Sequence, residues 1–336
     1  MINPLPSHLL PEGSILESSN NSPALPFVTV VIPVRNDARR LAVCLASLRE
    51  QDYPPDRYEV IVVDNGSTDD SRLIADEAGA KVLCYPGLRV GALRNRGVAE
   101  AQGEILAFVD SDHEVPRGWL QVGAGELAAD CEIDMIGSPC LAPPQGSWVQ
   151  CLWQLHRLRN GQRCEVKWLG AGNLFVRRAD FARLGGFNED LVAAEDVDLC
   201  ERLAQKSGKI VSDMRTANIH HGEPSTLRQF FRKEYWRGSS GISGFIAHGM
   251  PLHEVPSLIW PLYHLIALIG LLIAAGYGLL QASFLYPLVA LCVLLFPSLA
   301  LAVKTCIQVR RLSAVPALAV LYFVYGLSRA AALFKR

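Results

Sequence analysis

The chain has 336 residues, 19% of them charged and 50% apolar, with a formal net charge of −1. That length admits one large domain or two ordinary ones, but the charge is unevenly spread: from residue 257 to the end there are six basic residues (Lys304, Arg310, Arg311, Arg329, Lys335, Arg336) and no acidic one, leaving 26 basic and 33 acidic residues ahead of that point. Nine scattered cysteines without a C-x-x-C pair suit a reducing compartment and argue against a disulfide framework.

Residues 1–26 are rich in Pro, Ser and Asn and hold no apolar core, which predicts a flexible tail and no N-terminal signal peptide. Residues 27–33 (FVTVVIP), β-branched and closed by proline, read as the first strand. Leu41, Cys44, Leu45 and Leu48 then recur at helical spacing and stop before Tyr53-Pro54-Pro55. A second strand at 58–63 runs into Asp64-Asn-Gly-Ser-Thr-Asp69. A helix follows to about Gly79, then a short strand at 81–84, then a helix at 89–102 in which Gly97 allows close packing on a sheet. The unbroken apolar run 105–109 is a strand buried on both faces, and it leads into Asp110-Ser-Asp112. Beyond it come a helix at 119–129, a strand at 133–138 and an irregular stretch at 145–163. A small-residue loop enters a strand at 170–176, followed by a short helix at 179–184 and a firmer one at 195–206 stopped by Gly208. The alternation predicts an α/β domain with a mostly parallel, doubly wound sheet flanked by helices, ending at residue 224. No internal repeat, GxxxxGK[ST] loop or GxGxxG turn is present, which disfavours a dinucleotide domain.

Residues 225–256 form an expected interfacial segment. In it Leu227, Phe230, Phe231 and Tyr235 share one side of a helix that also bears Arg228, Arg232, Lys233 and Arg237. Such a helix docks on an anionic membrane surface or packs on the preceding domain with its charges solvated. Residues 257–336 form an expected membrane domain with helices at about 258–280, 284–303 and 315–334. The first two make a tight hairpin. The third contains Arg329, which either snorkels from a crossing helix or marks an interfacial or re-entrant one. Lys304, Arg310 and Arg311 place their loop in the cytoplasm, and the soluble part with it.

Three carboxylate clusters carry the chemistry: Asp64, Asp110 with Asp112, and Glu195 with Asp196. If strand geometry continues through Ser111, Asp110 and Asp112 leave one face at the carboxyl edge, where open α/β sheets hold ligands. Two neighbouring carboxylates then require a hard cation, Mg²⁺ or Mn²⁺, beside a phosphorylated ligand; a solvated turn is the competing reading. Asp64 either accepts from a nucleoside or forms the turn that Asp-Asn-Gly favours. Glu195-Asp196 either suits a helix start electrostatically or supplies a general base. Of the pair His220-His221, one completes a metal shell or both are structural.

Taken together, FVTVVIPVRN (27–36), VVDNGSTD (62–69), GALRNRGVAEAQGE (91–104), FVDSD (108–112), residues 170–176 and EDVDLCERL (195–203) resemble the ordered motifs of family 2 glycosyltransferases. The resemblance covers roughly residues 27–205. It implies a GT-A fold and inverting transfer of a sugar from a nucleotide diphosphate sugar, with UDP as the expected nucleotide. It also implies that Pro33 and Arg35 border the nucleotide pocket, that Asp64 contacts the base, and that Arg94 serves ribose or phosphate. Asp110 would bind ribose or a metal-linked water, Asp112 would ligate Mg²⁺ or Mn²⁺ with His220 as a further ligand, and Gly172 and Asn173 would shape the sugar and acceptor pocket. Asp196 would be the base, with Glu195 in reserve. The chain departs from processive members at Gln229-Phe-Phe-Arg232-Lys233, where those carry Q-x-x-R-W, so single transfer is expected. The expected partners are a nucleotide-sugar donor, a lipid-linked or saccharide acceptor as in envelope or exopolysaccharide assembly, and the membrane, with no nucleic acid. A processive polysaccharide synthase and a non-catalytic assembly subunit are the alternatives.

Overall fold

The computed structural model describes residues 25–157, 162–238 and 255–334. The expected tail up to residue 24 and the 239–254 part of the expected interfacial segment lie outside the described residues. In chain order the elements begin β1 (Val28–Val34), α1 (Ala38–Arg49), β2 (Tyr58–Asp64), α2 (Ser71–Glu77), β3 (Lys81–Cys84), α3 (Val90–Ala99), β4 (Ile105–Val109) and β5 (His113–Glu114). They continue α4 (Trp119–Ala129), β6 (Ile133–Gly137), α5 (Trp148–Arg157), β7 (Arg163–Glu165), β8 (Asn173–Arg177), α6 (Arg178–Leu184), α7 (Glu195–Ala204), β9 (Lys209–Asp213) and β10 (Ile219–His220). The last are α8 (Leu227–Gly238), α9 (Val255–Leu280), α10 (Leu285–Gln308) and α11 (Val315–Ala332). Among the described residues two compact units result: 25–144 with 162–222, and 145–157 with 223–238 and 255–334.

In the first unit the strands form one sheet in the order β3-β2-β1-β4-β8-β6-β9-β7. Neighbours from β3 to β4 are parallel, as are β6 and β9; β8 runs antiparallel to β4 and β6, and β7 to β9. The sheet is therefore mostly parallel, with the reversal at β8. Alternate residues of the central strands feed two cores. Val28, Val30, Ile32, Ala107 and Val109 pack with α1 and α4, whereas Val31, Leu106 and Phe108 pack with α3, α6 and α7. Burial on both faces is why these strands read as continuous apolar runs. On α3, a Cβ at Gly97 would lie 2.5 Å from Cγ1 of Val31, so the helix rests on the strand at a distance only glycine permits.

The second unit gathers α5, α8 and the three apolar helices. The stretch 145–163, irregular by sequence, contains α5, whose Val149, Leu152, Trp153 and Leu155 cluster with Phe230 of α8, Ala302 and Cys306 of α10, and Leu318, Leu321 and Tyr322 of α11. Residues 259–280, 285–308 and 312–332 are each long and apolar enough to cross a membrane. At the α9–α10 turn the rings of Tyr277 and Tyr286 meet edge to face, 4.8 Å apart. Arg329 of α11 binds Glu234 of α8 at 2.8 Å and lies over the Tyr325 ring, so its charge is met by protein.

Phe108 tests the two-sided packing. It is fully buried, with ring centroids 5.4 Å from Phe181 and 5.1 Å from Phe187. Phe108→Ala should cost about 3–5 kcal/mol, whereas Val192→Ala, at an exposed site, should stay within about 0.5 kcal/mol. Thermal unfolding of the detergent-solubilised chain compares them, and equal melting temperatures would contradict the assignment of Phe108 to the core.

Candidate active site

Parallel pairing brings the carboxyl ends of β1, β2 and β4 to one edge. Asp64 pairs with Val34, and Phe108, two residues ahead of Asp110, pairs with Val31. Because β8 is antiparallel to β4, with Asn173 opposite Val109, the preceding Gly172 comes level with Asp110. A Cβ on Gly172 would lie 2.7 Å from Asp110 Oδ2 and 2.6 Å from His113 Cε1. No side chain fits between those two groups. The short pairing of β10 with β5 sets His220 directly opposite His113, with ring centroids 4.4 Å apart.

Two overlapping sets of ligand-type atoms follow. Asp110, Asp112 and His113 each offer one atom within 4.8 Å of the others, and so do His113, Cys140 and His220. His220 Nε2 is 3.0 Å from Asp112 Oδ2, and His113 Nε2 is 3.7 Å from Asp112 Oδ1 and 4.0 Å from the Cys140 sulfur. The ring of His113 is held at its Nδ1, which lies 2.7 Å from the Gly172 carbonyl oxygen and 2.9 Å from the Asn218 side-chain nitrogen. A carbonyl oxygen can only accept, so the shorter Gly172 contact favours the proton on Nδ1 and leaves the Nε2 lone pair toward Asp112 and Cys140. Burial pushes the Asp112 carboxyl upward, but His220, His113 and Arg40 outweigh it and hold it well below the usual carboxylate range.

A second arm is built on Arg94, which α3 buries almost completely. Its Nη1 donates to Glu195 Oε1 at 2.5 Å and its Nη2 to Asp110 Oδ1 at 2.7 Å. Burial lowers the guanidinium pKa, but the charges of Asp110, Glu195 and Asp196 more than offset it, so it stays protonated. Glu195 is thus committed to an ion pair. Asp196 instead accepts from the backbone N–H groups of Ala171, at 3.3 Å, and Val197, at 2.9 Å. Burial and the neighbouring Glu195 charge push the Asp196 carboxyl up, with Arg94 opposing them less strongly. The pair is presented by Ala194, whose φ of 66° lies in the left-handed region at the start of α7, a strained backbone of the kind that clusters at functional sites.

Other expected residues take different positions. Asp64 is fully buried and accepts from Gly66 N at 3.0 Å and Ser67 N at 3.0 and 3.2 Å, so its carboxylate closes its own loop. Asn173 is buried too: its side chain accepts from Trp119 Nε1 and donates to Ser138 Oγ and the Thr216 carbonyl, each at 2.8 Å. Its amide therefore faces the protein interior. Pro33 is buried within β1, and Arg35 stands exposed just after it. His221 pairs with Glu114 at 2.8 Å, apart from the His220–Asp112 contact. Two residues were not foreseen, His113 and Cys140. The adjacency of His113 to Asp112 was the one signal; nothing in the sequence ties Cys140 to the cluster.

Residues 29–165 match the model of glycosyl transferase family 2. That stretch is similar to family 2 glycosyltransferases. Glycosyltransferase AglE of Haloferax volcanii is 27% identical over 249 residues, which is 70% of this chain and 80% of that protein. The pre-mycofactocin glycosyltransferase of Mycobacterium tuberculosis is 30% identical over 237 residues, 66% of this chain but 48% of that protein, so the match spans about half of the mycobacterial relative. The solved structure of mannosyltransferase PcManGT from Pyrobaculum calidifontis, in complex with GDP-Man and Mn²⁺, is similar with a TM-score of 0.56 at 20% identity, over 92% of this chain and 85% of that one. That likeness shows the GT-A-type fold. With named relatives of this class, the chain is a glycosyltransferase.

The glycosyltransferase should depend on Arg94 for stability. Arg94→Gln strands the buried Glu195 without its cation, for a loss of about 3–5 kcal/mol. Arg40→Gln, whose contact to Asp112 is 3.8 Å and whose side chain is 43% exposed, should cost less than about 1 kcal/mol. Unfolding midpoints of the two variants decide it, and equal values would refute the linking role of Arg94.

Proposed function

We propose that this glycosyltransferase moves a hexosyl unit from a nucleotide diphosphate sugar, UDP-linked, to a lipid-linked or saccharide acceptor, with inversion at the anomeric carbon and at the cytoplasmic face of the membrane. The observation that carries this reading is the meeting of Asp110, Asp112, His113 and His220 with the Arg94–Glu195–Asp196 arm around Gly172. The donor set fits a divalent cation. His113 turns a lone pair toward carboxylate oxygens, which repel unless a positive charge stands among them. Asp110, Asp112, His113 and His220 would hold Mg²⁺ or Mn²⁺, and its charge would offset that of the departing diphosphate.

In the proposed reaction Asp196 takes the proton from the acceptor hydroxyl as that oxygen bonds to the anomeric carbon. The bond from that carbon to the diphosphate oxygen breaks, and its electron pair leaves with the nucleoside diphosphate. Attack opposite the leaving group inverts the centre. Glu195 cannot share the task while it is bound to Arg94, so it positions Arg94, which in turn orients Asp110. Asp64 would serve the nucleotide pocket by fixing the 64–67 turn beside Pro33 and Arg35. At the place where processive members carry tryptophan, Lys233 is partly buried and bound to Glu223 at 3.3 Å, which supports single transfer. Lys304, Arg310 and Arg311 after the α9–α10 hairpin support the cytoplasmic orientation.

Asp196→Asn should lower kcat by at least about 10²-fold with nucleotide affinity kept; wild-type turnover in that variant would remove the base assignment. The raised Asp196 pKa also has a defined sign. The base is ionised only above it, so kcat/KM should fall as the pH drops through a limb well above the roughly 3.9 of a free aspartate. A pH profile of transfer shows the limb, and flat activity down to the ordinary aspartate range would contradict it.

Ligand binding raises apparent stability with saturation. In a thermal-shift panel of UDP-, GDP- and dTDP-sugars, a UDP-sugar with Mn²⁺ should raise the melting temperature most. Gly172→Ala should weaken Mn²⁺ binding by about 10–100-fold, because it disturbs the carbonyl that orients His113. A larger shift with a GDP-sugar would replace the donor assignment, and no dependence on Mn²⁺ would remove the metal.

A further inference from the structure

The third apolar helix differs from the other two in what surrounds it. Along α9 and α10 large apolar side chains stand open to the outside, among them Leu272, Ile273, Leu279, Leu285 and Phe296. Within α11, by contrast, Val320 is the one exposed large apolar residue among those described, while Leu318, Leu321, Tyr322, Gly326, Ser328, Ala330 and Ala332 are buried. The cover comes from α5 and α8. Trp153 of α5 meets Tyr322 and Tyr325, Glu234 of α8 binds Arg329, and a Cβ on Gly238 would lie 2.8 Å from Ala332. The contacts advance together along both chains, so α8 runs beside the C-terminal half of α11.

That neighbour is strongly charged. Within its 12 residues α8 carries Arg228, Arg232, Lys233, Glu234 and Arg237, and Arg228, Arg232 and Trp236 are exposed four residues apart on one face. If α11 crossed the bilayer, it would draw this face into hydrocarbon. Each arginine drawn there without a counter-charge carries a large penalty. The depth of the contacts points the same way. Tyr322 bonds Thr305, three residues from the end of α10, and Gly326 and Phe323 lie against His264 in the first half of α9. Neither contact reaches the Tyr277–Tyr286 end of the hairpin.

We propose that α11 lies in the headgroup layer with α8 along it, its exposed arginines and Trp236 facing lipid phosphates, so that the chain crosses the membrane twice. Arginine and tryptophan are the residues that suit this layer. The consequence is that the C-terminus emerges on the same side as the start of α9. The proposal rests on the crossing of α9 and α10 adopted above.

The test places protease-sensitive epitope tags in the full chain before Met1, after Gln281 in the hairpin turn, and after Arg336, and digests sealed membrane vesicles of both orientations. The first and third tags should be lost together from one orientation, and the second from the other. A third tag lost together with the second would overturn the proposal and leave the hairpin standing. A second tag lost together with the first would overturn the hairpin itself, and the two-crossing arrangement with it.

Discussion

Holding four carboxylates at one end of a sheet is the constraint on which this structure turns. Asp110, Asp112, Glu195 and Asp196 come from two separate stretches of chain, and burial raises the energy of Asp112 and Asp196 in their charged forms. Arg94 answers for Asp110 and Glu195 by bonding both at once. His220, His113 and Arg40 answer for Asp112. These partners sit on α1, α3, β5 and β10, so the acidic cluster is tolerated only when those elements are packed. Apolar burial on both faces of β1 and β4, worth roughly 1.5–3 kcal/mol for each large side chain, supplies the stability that such a cluster consumes.

Much of this fold is legible in the sequence, because a strand buried on both faces and a helix buried on one leave opposite signatures. The run 105–109 and the Leu41-Cys44-Leu45-Leu48 spacing both map onto the elements that bear them. The direction of β8 is a different matter. Periodicity reports which residues are buried and carries no sign for parallel or antiparallel pairing, so the reversal that levels Gly172 with Asp110 stays hidden. Strands β5 and β10 have two residues each, too few to show any period, and with them the meeting of His113 and His220 is lost to a one-dimensional reading.

The same limit explains where side chains end up. Asp64 and Asn173 lie in motifs that mark the ligand end of the sheet, yet both spend their polar atoms on the protein itself. A motif identifies the loop and says little about which atom of it faces outward. The helix α8 makes the point in the second unit: its aromatic face is matched by Trp153 of α5, with Phe230 and Trp153 rings 4.7 Å apart. Since α5 falls in a stretch without clear periodicity, the partner of that face was not readable, and a surface destined for protein resembled one destined for lipid.

The division between Glu195 and Asp196 follows from which of them holds Arg94. A base must be able to accept a proton, and a carboxylate at 2.5 Å from a buried guanidinium would have to give up a charge-assisted bond to do so. Asp196 has no such partner; its contacts are two backbone N–H groups, and Glu195 beside it favours proton uptake. One acid of the motif is thereby held in an ion pair while burial and its neighbour raise the proton affinity of the other, which is how a site obtains two roles from one residue type. Exchanging the two side chains would keep the composition and the charge of α7, yet it would leave the base tied to Arg94. The proposed chemistry therefore depends on the order Glu-Asp at the helix start as much as on the presence of both acids.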